Sequence, residues 1–396
     1  MEPEIPTSAP EVPPGHQIVT AASEGSLATE GGAHAPPPPG SMRWVFIGPQ
    51  GLRAGWSVAI FISLFAGPIA GLMAFVHYVQ KVSPATVKAA PSQGLSPWQA
   101  GFGELLGVLF LALVVFLMSL MERRNPLAYN LSGPRKLPHF FQGVGCGFLA
   151  LSGLVGTLAA GGWLRFGGMA LSGGQIAIDA AAWGAMFFLV GCMEEGMFRC
   201  YLQFTLTRGV NFWWALALVG GICGELLWRG KGNGIWGVYI IAALGLIPCL
   251  WLHVTGRPGN GFWQAAWVTS TLFGFVHTSN NGENWIGIFS AAAIGAVFCV
   301  SIRVTGSAWW AIGCHAGWDW AQTYFYGVAD SGMRASGHLM TTSPAGSAFW
   351  SGGADGPEGS VLVIPAVLLI LAMLLVFYGG RQRGNGSQGA IVEQAG

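Results

Sequence analysis

Charge is scarce in this chain. Asp, Glu, Lys and Arg make up 9% of its 396 residues, with a formal net charge of +1, too few to cover a soluble surface. There is no run of Lys or Arg, which removes a nucleic-acid-binding reading. Cys-x-x-Cys spacing is absent as well. The seven cysteines stand singly in apolar segments, as small buried hydrophobes rather than a disulfide frame or a zinc cluster. His-Glu-x-x-His is missing, and with it the usual helix-borne zinc geometry. No internal repeat is found. The first residues also lack the basic segment followed by an apolar one that makes a secretory signal.

Apolar residues, by contrast, are 52% of the chain, with 18 Trp and 24 Phe. Residues 1 to about 42 are rich in Pro, Ala, Gly and Glu and are expected to be a disordered tail. Ten apolar segments follow, at 54–79, 98–120, 139–162, 181–207, 212–228, 234–255, 262–279, 285–303, 307–327 and 361–379. Each could span the ~30 Å of a bilayer's hydrocarbon core, which takes about 20 helical residues. The expected fold is therefore an all-α, polytopic membrane helix bundle of about eight to ten transmembrane helices around a polar intramembrane cavity. Expected boundaries are N-terminal spans over 43–162, a core over 176–327, a Gly-rich loop over 328–360, a last span over 361–380 and a flexible tail over 381–396. Arg43, Arg53, Arg123, Arg124, Arg135, Lys136, Arg208, Arg257, Arg303, Arg381 and Arg383 fall on one side, against Lys81, Lys88, Arg165, Arg229, Lys231 and Arg334 on the other, an excess that favours both termini in the cytoplasm. In a bacterial cell the host membrane would be the plasma membrane.

One span carries charge where lipid would penalise it. Glu194-Glu195-Gly196-Met197-Phe198-Arg199 interrupts an otherwise apolar run. Each such group costs roughly 2.5 to 3.5 kcal/mol at the centre of an inserted helix, so all three must face a protein-lined, hydrated interior. Glu195 and Arg199, at i,i+4, can pair on one helix face. A structural ion pair accounts for that couple, but an adjacent second Glu adds a charge the pair does not need. Glu194 is thus read as the working carboxylate, with Glu195–Arg199 as its support.

Two further spans carry imidazoles. Phe273-x-x-x-His277 closes the seventh; a lone His near a helix end is often only an interfacial ring. His315 and Asp319 lie at i,i+4 in the ninth, where a self-satisfied hydrogen-bonded pair is the plain reading. Depth brings them together. At about 1.5 Å per residue, Glu194, His277 and His315 lie roughly 20, 22 and 12 Å into their spans, one layer within the error of the boundaries. Glu104 and Glu225 lack a partner at helical spacing and are second-rank cavity candidates. His77 and His253 sit at span ends as interfacial residues.

A carboxylate and an imidazole facing one water can take its proton and direct it at a carbonyl. A second imidazole with a polar partner can donate to the oxyanion that forms. The same groups could instead form a His2Glu zinc set of Glu194, His277 and His315. A proton-coupled transporter would also place Glu and His inside the membrane, although it would favour repeat-related halves. A catalytically silent immunity or scaffold protein could use the same cavity.

Glu-Glu-x-x-x-Arg, Phe-x-x-x-His and His-x-x-x-Asp, in that order and each within an apolar span, resemble the CPBP family of intramembrane proteases. That family takes in type II CAAX prenyl endopeptidases and bacterial bacteriocin-processing or immunity proteins. The resemblance covers residues 181 to 319 and implies that Glu194 and His277 activate water, that His315 and Asp319 form the oxyanion hole, and that Glu195 and Arg199 hold the site in shape. It further implies a peptide or protein substrate, lipid-modified ones included, and a reaction described for the family both with and without a metal such as zinc. Asp319 is a departure, since eukaryotic prenyl proteases carry Asn there while bacterial members often carry Asp. An ionised Asp cannot donate to an oxyanion, so this one either orients His315 or stays protonated.

Overall fold

Every one of the ten apolar runs forms a helix in the computed structural model, which describes residues 38, 40–81, 96–229, 235–280 and 282–393. In chain order these are α1 (Ala54–Tyr78), α2 (Pro97–Glu122), α3 (Lys136–Ala160), α4 (Gln175–Glu195), α5 (Phe212–Arg229), α6 (Ile235–Thr255), α7 (Asn260–His277), α8 (Trp285–Thr305), α9 (Trp309–Asp319) and α10 (Val363–Glu393). Both α4 and α9 run on into π-helical turns, Gly196–Leu202 and Trp320–Phe325, and Gln203–Thr207 completes the first rod. The expected N-terminal tail lies outside the described residues, apart from 38 and 40–42. Helical backbone continues to Glu393, through most of the stretch expected as a tail, where no proline stops it.

Local chemistry explains the helix ends. Ser96 and Gln99 form a reciprocal capping box at the start of α2, with Pro97 in the first turn. At the start of α8 the Asn284 Oδ1 accepts from the backbone N–H of Ile286 at 2.8 Å, and Gly306 ends the helix in the left-handed conformation.

Six of these rods are long and apolar enough to cross a membrane: α1, α2, α3, α4 with its continuation, α6 and α8. Their outer faces present bare aliphatic and aromatic side chains, such as Leu72 and Phe75 on α1, Leu109 and Leu113 on α2, and Ile247 and Val254 on α6. These faces make the apolar belt that lipid covers. Helices α7 and α9 are less apolar for a physical reason. Gln264, Thr269, Ser270 and Thr271 of α7 are buried among other helices rather than against lipid, where polar groups find partners. Thr269 Oγ1 donates to Gln203 Oε1 at 2.9 Å, for example.

The closest helix pair is α3 with α9. Gly143 and Gly147 of α3 face Gly313 and Gly317 of α9, so each helix carries a Gly-x-x-x-Gly stripe. A Cβ on Gly143 would overlap the Trp310 carbonyl, and one on Gly147 the Cys314 carbonyl. On the other side, Gly313 lies against the Phe140 carbonyl and Gly317 against that of Val144. Small residues that let backbones touch are a main device for helix association in lipid, where there is no water to expel.

That contact predicts a contrast between neighbours. Gly147→Ala should lower the detergent thermal midpoint by an amount corresponding to about 1–3 kcal/mol, the usual cost of overpacking. Gly145→Ala, where an added Cβ meets nothing within 4 Å, should leave it unchanged or raise it slightly. Equal effects at both positions would show that the stripe does not set the packing.

Candidate active site

Glu195 is fully buried, one of its oxygens reaching along its own rod and the other across to α9. Oε2 lies 3.1 Å from Arg199 Nε, and Oε1 accepts from His315 Nδ1 at 2.9 Å. The backbone makes this possible by widening immediately after Glu195. A π turn inserts one residue, which rotates the side chains beyond it by roughly 100° relative to those before. Arg199 is equally buried, and its guanidinium lies 4.1 Å from the Phe273 ring centroid and 5.5 Å from that of Phe298. Gly295 of α8 leaves it room, since a Cβ there would strike the guanidinium. From the polar linker after α2, Asn130 Nδ2 donates to the Arg199 carbonyl at 2.7 Å.

Glu122, the last residue of α2 just before this linker, is a buried hub. It accepts from Tyr201 in the π turn at 2.9 Å and from Arg208 at 2.8 Å. The residues that fix the π segment thus come from a stretch whose sequence reads as a polar, proline-broken connection.

His315 has its Nδ1 committed to Glu195, so Nε2 faces the two remaining acids. It lies 3.4 Å from Asp319 Oδ2 and 3.8 Å from Glu194 Oε2, distances of charge contact rather than of hydrogen bonding. His277 Nδ1 lies 2.7 Å from the Phe273 carbonyl. A carbonyl only accepts, so Nδ1 carries a proton and Nε2 is the nitrogen left to act as a base. Glu194, His277, His315 and Asp319 all line one cavity of about 380 Å³. No hydrogen bond or ion pair joins Glu194 to His277, and Glu194 Oε2 has no hydrogen-bond partner. Glu104 is also on this wall.

Glu225 does not reach the cavity, and the expectation that it lacks a partner is corrected. Arg229 Nε donates to its Oε1 at 2.7 Å, at i,i+4 on the half-exposed face of α5. His253 stacks on Phe212 at 5.1 Å.

The Gly-rich segment between α9 and α10 contributes residues that sequence reasoning passed over. It is folded rather than extended. β1 (Leu164–Met169) pairs antiparallel with β2 (Met340–Pro344), and a 3-10 turn covers Pro357–Gly359. Trp318 Nε1 donates to Glu358 Oε1 at 2.8 Å, and Thr323 Oγ1 to Asp330 Oδ2 at 2.8 Å. These bonds bring Asp330 and Glu358 onto the cavity wall, where Glu283 joins them. Asn284 ties the segment to α8 by donating to the Gly359 carbonyl at 3.2 Å. Acids in a glycine-rich loop carry no periodic signal, so only the fold reveals them. Burial, and then the negative neighbours Glu358 and Glu283, push the Glu283 and Asp355 carboxyls well above the ordinary carboxylate range, and Asp330 shifts the same way.

Taken together, the fold and the site define an integral, multi-pass helical membrane protein with an ionisable cavity among its helices. Residues 210–321 match the family model described as Type II CAAX prenyl endopeptidase Rce1-like. That match supports placing the chain with the CPBP-type, CAAX-protease-like intramembrane proteases. It includes His277, His315 and Asp319 and begins after Glu194, Glu195 and Arg199. None of the curated proteins and none of the solved structures matches the chain.

Two outcomes follow from this geometry. Arg199→Ala takes the guanidinium from the buried Glu195 and leaves His315 as its remaining partner, a loss of up to about 3–5 kcal/mol, so it should sharply reduce the folded yield in detergent; a stable variant that is merely slower would contradict the support role. The second concerns pH. Glu283 and Asp355 are raised in the folded state, so folding takes up protons, and the segment loses stability as pH climbs from about 4 upward through neutrality. Limited proteolysis within 327–360 should accelerate between pH 6 and 9. Asp355→Asn should flatten that rise.

Proposed function

We propose that the protein is an intramembrane endopeptidase in which Glu194 and His277 activate a water that attacks a peptide carbonyl. The observation that carries this reading is the gathering of Glu194, His277, His315 and Asp319, from three helices, on one cavity wall. The gap between Glu194 and His277 is where the water would sit. Glu194 takes one proton of the water, His277 Nε2 accepts a hydrogen bond from its other O–H and so orients it, and the oxygen adds to the carbonyl carbon. Negative charge then builds on the carbonyl oxygen. His315, held at Nδ1 by Glu195, offers Nε2–H to that oxygen, and Asp319 keeps the proton on Nε2. The proton held by Glu194 passes to the departing amine as the C–N bond breaks.

A catalytic zinc on Glu194, His277 and His315 has partial support, because each imidazole has its Nδ1 engaged and its Nε2 free, as metal ligands do. Among the described residues, however, the donors that converge within 4.8 Å of one another are Asp319, Asp330 and Glu358, so the steps above use no metal. The excess of Lys and Arg on one side supports a reading with both termini in the cytoplasm, and the substrate in this reading is a peptide segment of a protein, lipid-modified or not.

The test is purified full-length protein in lipid nanodiscs with a fluorogenic peptide library, with and without a strong chelator. Glu194→Gln and His277→Ala should each lower turnover by at least about 10²-fold while the variants retain wild-type insertion and elution. Full activity in either variant removes that residue from the mechanism. Loss of all activity in chelator, restored by Zn²⁺, would replace the water-activation scheme with the zinc one.

A further inference from the structure

We propose that the peptide drawn into this cavity is cationic, with a Lys or Arg side chain beside the scissile bond recognised by Asp330 and Glu358 of the segment between α9 and α10. This inference rests on the peptidase reading above and narrows its substrate class.

The wall is one-sided. Among the described residues, Glu104, Glu194, Glu283, Asp319, Asp330 and Glu358 line the cavity, and no Lys or Arg does. The chain as a whole is balanced, with 18 Lys and Arg against 17 Asp and Glu, so the asymmetry belongs to the site and not to the composition. His277 and His315 are the basic groups present, and His315 already answers to Glu194, Glu195 and Asp319.

Acceptor capacity at the wall also exceeds the donors that serve it. The Asp319 side chain is about nine-tenths buried (10% exposed) and lies no closer than 3.4 Å to His315 Nε2, beyond a normal hydrogen bond. On the wall itself, Glu194 Oε2 is buried with no hydrogen-bond partner. Buried carboxylates without donors are unfavourable and persist where something else supplies positive charge. One oxygen each of Asp319, Asp330 and Glu358 lies within 4.8 Å of the others, a convergence suited to an ammonium or a guanidinium. The surrounding volume of about 380 Å³ suits a side chain with its flanking backbone.

The same wall disfavours the opposite charge. A free carboxyl end a few residues beyond the scissile bond would meet carboxylates and no cation. The site therefore suits an internal or amidated segment better than a chain terminus.

The experiment uses full-length protein in nanodiscs and matched internally quenched peptides. They carry Lys, Gln or Glu at the two positions flanking the cleaved bond, and each is made with a free and an amidated carboxyl end. Wild type should show kcat/KM for the Lys peptides at least about tenfold above the Gln peptides, Glu peptides below both, and amidated ends above free ones. In the Asp330→Asn and Glu358→Gln single variants and in the double variant, the Lys-to-Gln ratio should fall stepwise towards one. A parallel arm measures binding of labelled peptides to Glu194→Gln protein. Charge-selective binding without any Glu194-dependent cleavage would sustain this inference and overturn the peptidase reading. Cleavage that ignores peptide charge would do the reverse. One-to-one binding of Ca²⁺ or Mg²⁺ that depends on Asp330 and Glu358, with no peptide preference, would overturn the inference in favour of a cation site.

Discussion

The Glu195 carboxylate is the charge around which the molecule is arranged. It is shut away from solvent, so it persists only because Arg199 and His315 both reach it. Taking such a group out of water costs several kcal/mol even after relaxation, and only a close cation and a good hydrogen bond offset that. The guanidinium in turn needs the faces of Phe273 and Phe298 and the space left by Gly295. One ion pair therefore ties α4 to α7, α8 and α9, and three of these helices, α4, α7 and α9, carry the candidate catalytic groups. The consequence for chemistry is orientation. With Nδ1 of His315 held by Glu195, Nε2 has one direction left, towards the cavity.

Two backbone devices make the arrangement fit. Glycine stripes let α9 sit directly on α3, which seats His315 and Asp319 at a set depth, since a rigid contact between backbones leaves little freedom to slide. The π turns after Glu195 and Asp319 then change helical phase where charged side chains must turn inward. Both devices carry an intrinsic cost, because glycine loosens a helix and π hydrogen bonding is strained. Packing on every side compensates: Arg199, Tyr201 and Gln203 are completely enclosed. The apolar surface faces outward and the polar one inward, the inverse of a soluble protein.

The cavity has two sides of different character. One side is made by helices and combines acids with imidazoles. The other side is made by a folded, glycine-rich segment, which contributes Asp330 and Glu358 along with Ser331 and Met333. Burial, and then neighbouring negative charge, raise the affinity of Glu283 and Asp330 for protons.

Much of this was legible in advance. Apolar runs located all ten helices, although α10 runs on to Glu393, well past its expected end at 379, because lipid imposes a length and a polarity that no local accident mimics. The ionisable residues out of place in those runs, Glu194, Glu195, Arg199, His277, His315 and Asp319, marked the cavity for the same reason. The partner of Glu225 was also legible in Arg229, four residues on, and was passed over. The bond from Glu195 to His315, the service of Glu122 to the π turn, and the arrival of Asp330 and Glu358 at the cavity wall were not legible. They join residues far apart in sequence through loops and phase changes that leave no period to read. The amino-acid order by itself determined which segments enter the membrane and which of them must hide charge, since transfer energies act residue by residue. Which charges meet was decided by tertiary structure alone, because that depends on how closely backbones approach and how far each helix is turned.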